Sequence, residues 1–357
     1  MEKKTWLTVI IPVYNGQGYL KECLQSIASQ TFDDYEVILV DDGSTDTSSE
    51  ICQKFCSLDV RFQYHRIENS GALFARVFGA RLVKSQYFTF CDADDYYIDK
   101  NVFSKLFEKI SAFSTTKVHV VQFGYKKKYN HLSQTVRFVQ QDCSIDKSEF
   151  YMREYPKLLC SFWNQSHLST NVWNKLYSCE LLSYLPSHSE RVFWGDDLII
   201  NIHLLQSIQR AYYLPDVLYV YRQFTGGTNR FSLYTMKDLD TIKQYQLDFL
   251  QKTKPENADI LKKNLFSEMA GWFIVYLREA ADYLDKDDLR KIVTNTLELP
   301  RFKLAQEYYK ENPEGWEGAT LLMNADVEGY IKTANIKSKK TLKSILIQVI
   351  KSIWQKL

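Results

Sequence analysis

The chain has 357 residues, 45% of them apolar and 25% charged, with a net charge of +2. That length suggests about two domains and leaves enough apolar material for a sizeable core. A charge so near zero gives no global field for nucleic acid, which excludes that class of partner. Seven cysteines lie scattered without a CxxC pair, and six histidines show no zinc-site spacing. They read as reduced thiols in a cytoplasmic protein. No secretory leader is evident at the start, and no apolar run approaches the ~20 residues of a membrane span.

In chain order, Leu7 to Tyr14 is a near-continuous apolar run rich in β-branched residues, as in a strand buried on both faces. Gly16 to Ser29 carries helical spacing at Tyr19, Leu20, Cys23, Leu24 and Ile27. Glu36 to Val40 predicts a second buried strand. Ser44, Thr45 and Asp46 offer caps for a helix to about Ser57. Arg61–Arg66 and Tyr87–Cys91 predict strands around a helix at Gly71–Val83. This alternation implies a Rossmann-like, mostly parallel sheet covered by helices, with ligands bound beyond the C-terminal strand ends. Farther on, a helix at 101–113 leads to a strand at Val118–Tyr125, with Arg137–Gln140 as its pairing partner. Helices are expected at 147–160, at 171–185 and from Asp196, and a strand at Val217–Arg222. From Leu233 to Tyr330 the pattern is helical throughout, with polar breaks at Lys254–Pro255 and Asn312–Gly315.

Three acidic clusters carry the chemistry: Asp41-Asp42, Asp92-Ala93-Asp94-Asp95 and Asp196-Asp197. The first two follow strands and the third opens a helix. Residues i and i+2 of an extended segment point the same way, so Asp92 and Asp94 can converge on one cation. Hard cations such as Mg²⁺ or Mn²⁺ take one or two carboxylates plus substrate phosphates. A lone acidic turn is as readily a solvated cap. Two acidic strand ends in one sheet favour a nucleotide-and-metal crevice instead. Gly16-Gln17-Gly18 resembles the start of a dinucleotide fingerprint, but Lys21 stands where the third glycine belongs. A nicotinamide cofactor and a P-loop are therefore not expected.

Val9-Ile10-Ile11-Pro12-Val13-Tyr14-Asn15, Val40-Asp41-Asp42-Gly43-Ser44-Thr45-Asp46, Phe90-Cys91-Asp92-Ala93-Asp94-Asp95 and Trp194-Gly195-Asp196-Asp197 stand in the order seen in family 2 glycosyltransferases. Gln30-Thr31-Phe32, Asn69-Ser70-Gly71 with Arg76, Trp173-Asn174-Lys175-Leu176-Tyr177 and Tyr219-Val220-Tyr221-Arg222 resemble further motifs of that family. The resemblance covers about residues 5–230. It implies a GT-A fold and metal-dependent, inverting transfer from a nucleotide sugar, usually a uridine diphosphate sugar. The acceptor would be a hydroxyl of a glycan, glycolipid or glycoprotein.

By the same resemblance, Pro12 and Tyr14 flank the uracil and ribose, Asp42 meets the uracil, and Arg76 is a basic residue on the nucleotide side. Asp92 matches the ribose-side acid, Asp94 the metal ligand, and Asp197 the general base. Asp196 replaces the usual Glu of a Glu-Asp pair, and Val77 stands where Asn is common. No histidine lies near Arg222, where some relatives place another metal contact. Trp194 abuts the base and is a candidate acceptor contact, with Asp196 and Lys175 beside it. Trp163, Trp173 and Phe193 are expected in the core. The rivals are a catalytically degenerate scaffold that binds sugar or nucleotide, and a nucleotidyltransferase. The second usually has a Gly-rich, basic loop after its first strand, unlike Pro12-Val13-Tyr14-Asn15.

These signals divide the chain into a catalytic domain at 1–230, a helical region at 231–330 and a basic tail at 331–357. Within the first, about 1–105 is the nucleotide-sugar half and 106–230 the acceptor half. A homo-oligomer is compatible with all of this. From Gly329 onward no acidic residue occurs, and Lys332, Lys337, Lys339, Lys340, Lys343, Lys351 and Lys356 supply seven positive charges. Leu342, Ile345, Leu346, Val349, Ile350, Ile353, Trp354 and Leu357 recur at helical steps. A basic helix with an apolar stripe lies in the interface of an anionic membrane, each Lys contributing about 1 kcal/mol. The alternative is a helix packed on its own protein. We expect residues 337–357 to hold the protein peripherally at the inner face of the cell membrane. Truncation after Thr333 then abolishes co-sedimentation with anionic vesicles; equal pelleting of both forms rejects the idea.

Overall fold

The computed structural model describes residues 4–113, 117–129, 132–160, 166–186, 191–223, 235–253, 257–311 and 317–334. The basic stripe at 337–357, Trp163 and the breaks at Lys254–Pro255 and Asn312–Gly315 lie outside them. The chain divides into two compact units. The first comprises Met1–Leu158, Trp163–Val192 and Asp196–Thr228, and the second Leu159–Phe162, Phe193–Gly195 and Asn229–Leu357.

The first unit is built on β1 (Leu7–Val13), β2 (Tyr35–Asp41), β3 (Phe62–Arg66) and β4 (Tyr87–Phe90), with order β3-β2-β1-β4, all parallel. The sheet continues through β9 (Lys175–Ser178), β6 (Val120–Tyr129), β10 (Arg210–Gln223) and β5 (Tyr96–Tyr97). Two further strands pair at the side, β7 (Leu132–Val136) on β6 and β8 (Cys143–Asp146) on β10. β9 runs antiparallel to both β4 and β6, so the sheet is mixed: β3-β2-β1-β4 are parallel, and β6 and β10 form a second parallel pair beyond β9.

Two sequence expectations fail here. The segment 171–185, expected as a helix, forms β9 followed by a 3₁₀ turn at Cys179–Tyr184. Lys175 to Ser178 are buried between two strands, and pairing on both sides overrides the local pattern. The partner of β6 is Leu132–Val136 rather than Arg137–Gln140.

Helices α1 (Leu20–Ala28), α2 (Ser48–Leu58), α3 (Ala72–Arg81) and α4 (Val102–Ser111) cover the parallel half. α1 buries Leu20, Cys23, Leu24 and Ile27, the i, i+3, i+4, i+7 stripe of a helix on a sheet. One face of β1 joins this core through Leu7, Val9, Ile11 and Val13. On the other face α3 lies close to the sheet. A Cβ on Gly79 would stand 2.5 Å from Ile10 Cγ2 and 3.1 Å from Val40 Cγ2, so only glycine permits that approach. Because β2 and β4 flank β1 on opposite sides, the chain leaves β1 in both directions. A crevice opens at its C-terminal end, where sheets of this kind bind ligands.

The rest of the first unit holds the short α5 (Lys147–Glu149), a π turn at Phe150–Glu154, α6 (Pro156–Leu159) and α7 (Asp196–Leu204). In the second unit α8 (Thr235–Thr253), α10 (Lys286–Glu298), α11 (Pro300–Glu311) and α13 (Val327–Ala334) gather around α9 (Ala258–Tyr283), with α12 (Glu317–Met323) beside α13. α9 buries Leu261, Leu265, Met269, Phe273 and Leu277, one residue per turn. Buried ion pairs Lys243–Glu268 (3.3 Å) and Arg301–Asp240 (3.0 Å) tie its neighbours. No described helix is long and apolar enough to cross a membrane. All seven cysteines are free thiols.

Candidate active site

The first acidic pair splits its work. Asp41, at the end of β2, is fully buried. It accepts hydrogen bonds from Ser44 N (2.8 Å), Ser49 Oγ (2.5 Å), Tyr64 Oη (2.6 Å) and Arg66 Nη1 (2.9 Å). Burial alone would raise its pKa, but these donors outweigh burial and hold it below the ordinary value. Asp41 therefore fastens β2 to α2 and β3.

Asp42 turns the other way. Its Oδ1 accepts from Ser70 N (2.6 Å) and its Oδ2 from Gly71 N (2.9 Å). Gly71 adopts φ +93°, a conformation that favours glycine, and leads directly into α3. Each carboxylate oxygen keeps a further lone pair. Asp42 N donates to Val13 O (2.8 Å) at the end of β1, between half-buried Pro12 and exposed Tyr14. The turn after β1 is laced to the turn after β2, with Thr45 N donating to Asn15 Oδ1 (2.8 Å) and Gly16 N to Ser48 Oγ (2.9 Å).

Beyond β4, Asp92, Asp94 and Asp95 present carboxylate oxygens that all lie within 4.8 Å of one another. Burial first, and the charge of Asp92 second, push Asp94 up to about 6. Burial and both neighbouring carboxylates push Asp95 well above its ordinary value. Asp95 Oδ1 accepts from Arg222 N (2.7 Å), whereas its buried Oδ2 has no partner among the described residues. Crowded carboxylates with an orphaned oxygen are what a divalent cation would relieve, so the donor set fits Mg²⁺ or Mn²⁺.

Sequence reasoning missed how this loop is held. Arg222 donates to the Asp94 carbonyl, and its guanidinium lies 4.5 Å from the Tyr96 ring and 5.2 Å from that of Tyr19. Asp92 N donates to Tyr219 Oη (3.0 Å). The Tyr219–Arg222 motif carried the signal, but without a role attached.

Arg76 joins the second and third clusters. It projects from α3, is buried, and donates to Asp92 Oδ1 (2.6 Å) and to Asp196 Oδ2; Asp197 Oδ1 lies 3.8 Å away. Burial opposes its charge, but Asp196, Asp92 and Asp197 outweigh burial and hold its pKa above the ordinary value. Arg76 thus acts as a clamp between acids, a contact that the sequence reading did not foresee. Asp197 sits in the first turn of α7, where Val172 N donates to its Oδ2 (3.3 Å). Burial pushes it up to about 7, with Arg76 acting against burial and Asp196 and Asp92 adding to it.

Lys175 requires correction. It is fully buried, and its Nζ donates to Ser169 O (2.9 Å), Ser169 Oγ (2.8 Å), Asn171 O and Asn174 Oδ1 (3.2 Å). Burial holds its pKa well below the usual ammonium value. An interior ammonium with four acceptors braces the segment before β9 and is closed to an acceptor. Trp173 is core, stacked on Tyr219 at 4.8 Å and on Tyr221 at 5.0 Å. Trp194 falls in the second unit and is 43% exposed.

Residues 8–174 match the family model described as Glycosyl transferase family 2. Glycosyltransferase GlyA of Streptococcus pneumoniae serotype 4 is 31% identical over 225 residues, covering 63% of this chain and 31% of that protein. The chain thus spans about a third of GlyA. Glycosyltransferase GlyG of the same organism is 29% identical over 238 residues, covering 65% of this chain and 76% of that protein. Among solved structures, S. aureus TarS 1–349 in complex with UDP-GlcNAc superposes with a TM-score of 0.65 at 16% identity, covering 92% of this chain and 90% of that one. The sheet and its acidic strand ends are those of a GT-A glycosyltransferase fold. Over residues 8–174, just under half of its length, the chain is that of glycosyltransferase family 2.

Replacing Arg76 by Met strands Asp92, Asp196 and Asp197 without their cation. The expected loss is about 3–5 kcal/mol at pH 8, the usual scale for breaking a buried pair. Arg76 is what acts against burial at Asp197, so without it the folded-state pKa of Asp197 rises farther, and the penalty of keeping that carboxylate ionised grows as pH rises and shrinks as it falls. Urea unfolding at pH 8 and pH 5 checks both points; an equal loss at the two pH values rejects the clamp.

Proposed function

We propose that this chain transfers a sugar, with inversion, from a uridine diphosphate sugar to a hydroxyl of a glycan, glycolipid or glycoprotein acceptor. The observation that carries the reading is the pairing, through Arg76, of a carboxylate cluster after β4 with Asp196 and Asp197 at the start of α7. The complex of TarS with UDP-GlcNAc supports a uridine nucleotide as the donor class.

In this reading Pro12, Tyr14 and Asp42 hold the nucleoside, while Asp92 and Asp94, with Asp95 behind them, hold a divalent cation. Such a cation, when bound, neutralises charge on the departing diphosphate. Asp197 accepts the proton of the acceptor hydroxyl as its oxygen forms a bond to the anomeric carbon. The bond from that carbon to the diphosphate breaks, and its electron pair leaves with the nucleotide. One displacement with one base inverts the anomeric centre. Arg76 keeps Asp197 beside Asp92 and sets its basicity. We propose likewise that residues 106–230 form the acceptor half of the site and that the protein works at the inner face of the cell membrane.

A base held near 7 must be ionised to act, so transfer rises as pH passes upward through about 7. The Asp197→Asn variant loses transfer by roughly 10² or more, with donor affinity kept. Near-normal turnover in that variant, with Asp196→Asn inactive, moves the role one residue back.

The cation assignment is tested by Asp94→Ala. Titration calorimetry with uridine diphosphate in the presence and absence of Mn²⁺ is expected to show metal-enhanced affinity in the wild type only. Equal enhancement in both proteins removes Asp94 from the metal site.

A further inference from the structure

The second unit carries a cluster of partly exposed aromatic rings for which its own core has no need. Trp194 and Phe193 are 43% and 55% exposed. Trp272 and Tyr276 stand one turn apart on α9, half-buried, with rings stacked 5.6 Å apart at 24°. Trp194 meets both, at 6.1 Å from Trp272 and 6.2 Å from Tyr276. Scattered exposed aromatics are ordinary, but a contiguous patch of them marks a binding surface.

Two buried carboxylates hold the backbone of Phe193 and Trp194 and the ring of Trp272. Asp238, 2% exposed, accepts from the backbone N of Phe193 (2.9 Å) and of Trp194 (3.1 Å) through one oxygen. Glu268, 7% exposed, accepts from Trp272 Nε1 (3.0 Å) and pairs with Lys243. Gly195, at φ +85°, admits no side chain, because a Cβ there would stand 2.3 Å from Ile242 Cδ1. A ring needed only to fill a core is fixed by packing. These rings are half-open, with the Trp272 ring and the Trp194 backbone held by interior hydrogen bonds, as in a surface preorganised for a ligand.

The chemistry of the patch selects the ligand. It offers flat apolar planes. Pyranose rings have apolar CH faces that stack on such planes, while their hydroxyls remain free for water or polar side chains. Gly195 alone separates Trp194 from Asp196 in the chain. We propose that Trp194, Trp272 and Tyr276, with Phe193 at the edge, form a carbohydrate platform that receives sugar units of an oligosaccharide acceptor. This rests on the glycosyl-transfer reading above.

The test is calorimetric titration of the full-length protein with tetrasaccharides of β-linked glucose, galactose and N-acetylglucosamine. At least one is expected to bind saturably. Trp272→Ala and Tyr276→Ala should each weaken it by about fivefold or more, whereas Tyr276→Phe, which keeps the ring, should retain it. Tyr283→Ala, an exposed aromatic of the same helix outside the cluster, should have no effect. Unchanged affinity in both alanine variants overturns the proposal, as does failure of all three saccharides to bind. Binding seen only after truncation at Thr333 also overturns it, since the tail is then the occupant. Uridine diphosphate binding by the wild type with Mn²⁺, measured in parallel, reports on the donor reading separately.

Discussion

The site depends on one buried guanidinium. Arg76 stands where negative charge arrives from two directions, from the loop after β4 and from the first turn of α7. Without it, three carboxylates would face one another in a partly desolvated crevice, and their repulsion would drive the two segments apart. With it, a strand end and a helix start distant in sequence share one centre. The geometry required for chemistry and the electrostatics required for folding are met by the same side chain.

The rest of the crevice follows a similar rule: each reactive group is held by backbone or by buried polar partners. Asp42 grips the entry to α3 and Arg76 stands on the same helix, so the turn after β2 and the clamp are joined through a single helix. Arg222 and Tyr219 hold the backbone of the Asp92–Asp95 loop from β10, leaving the carboxylates turned toward one another. Lys175 braces the segment before β9 from inside.

Much of the parallel half was legible because each strand there is buried on both faces and each helix carries its own apolar stripe. Local pattern and tertiary environment agree at Leu7–Val13 and Leu20–Ala28. They disagree at Lys175–Ser178, where a lysine and a serine lie inside the sheet because interior carbonyls and hydroxyls satisfy them. Periodicity cannot register that kind of burial. The acidic clusters were legible as a site through their positions at strand and helix ends. Which cation balances them was not, because Arg76 meets its partners only in three dimensions. The same limit hid the aromatic cluster, whose members are separated by nearly eighty positions between Trp194 and Trp272.

The missing side chain at Gly79 has a mechanical consequence. It lets α3 settle against Ile10 and Val40 with no room for a methyl group between them. A helix seated so closely cannot slide along the sheet without driving its backbone into β1, and its stiffness is therefore that of the sheet. Arg76, one turn earlier on the same helix, inherits this immobility. Any adjustment of the crevice to its ligands must be taken up by the loops around α3, which pivot about a fixed charge.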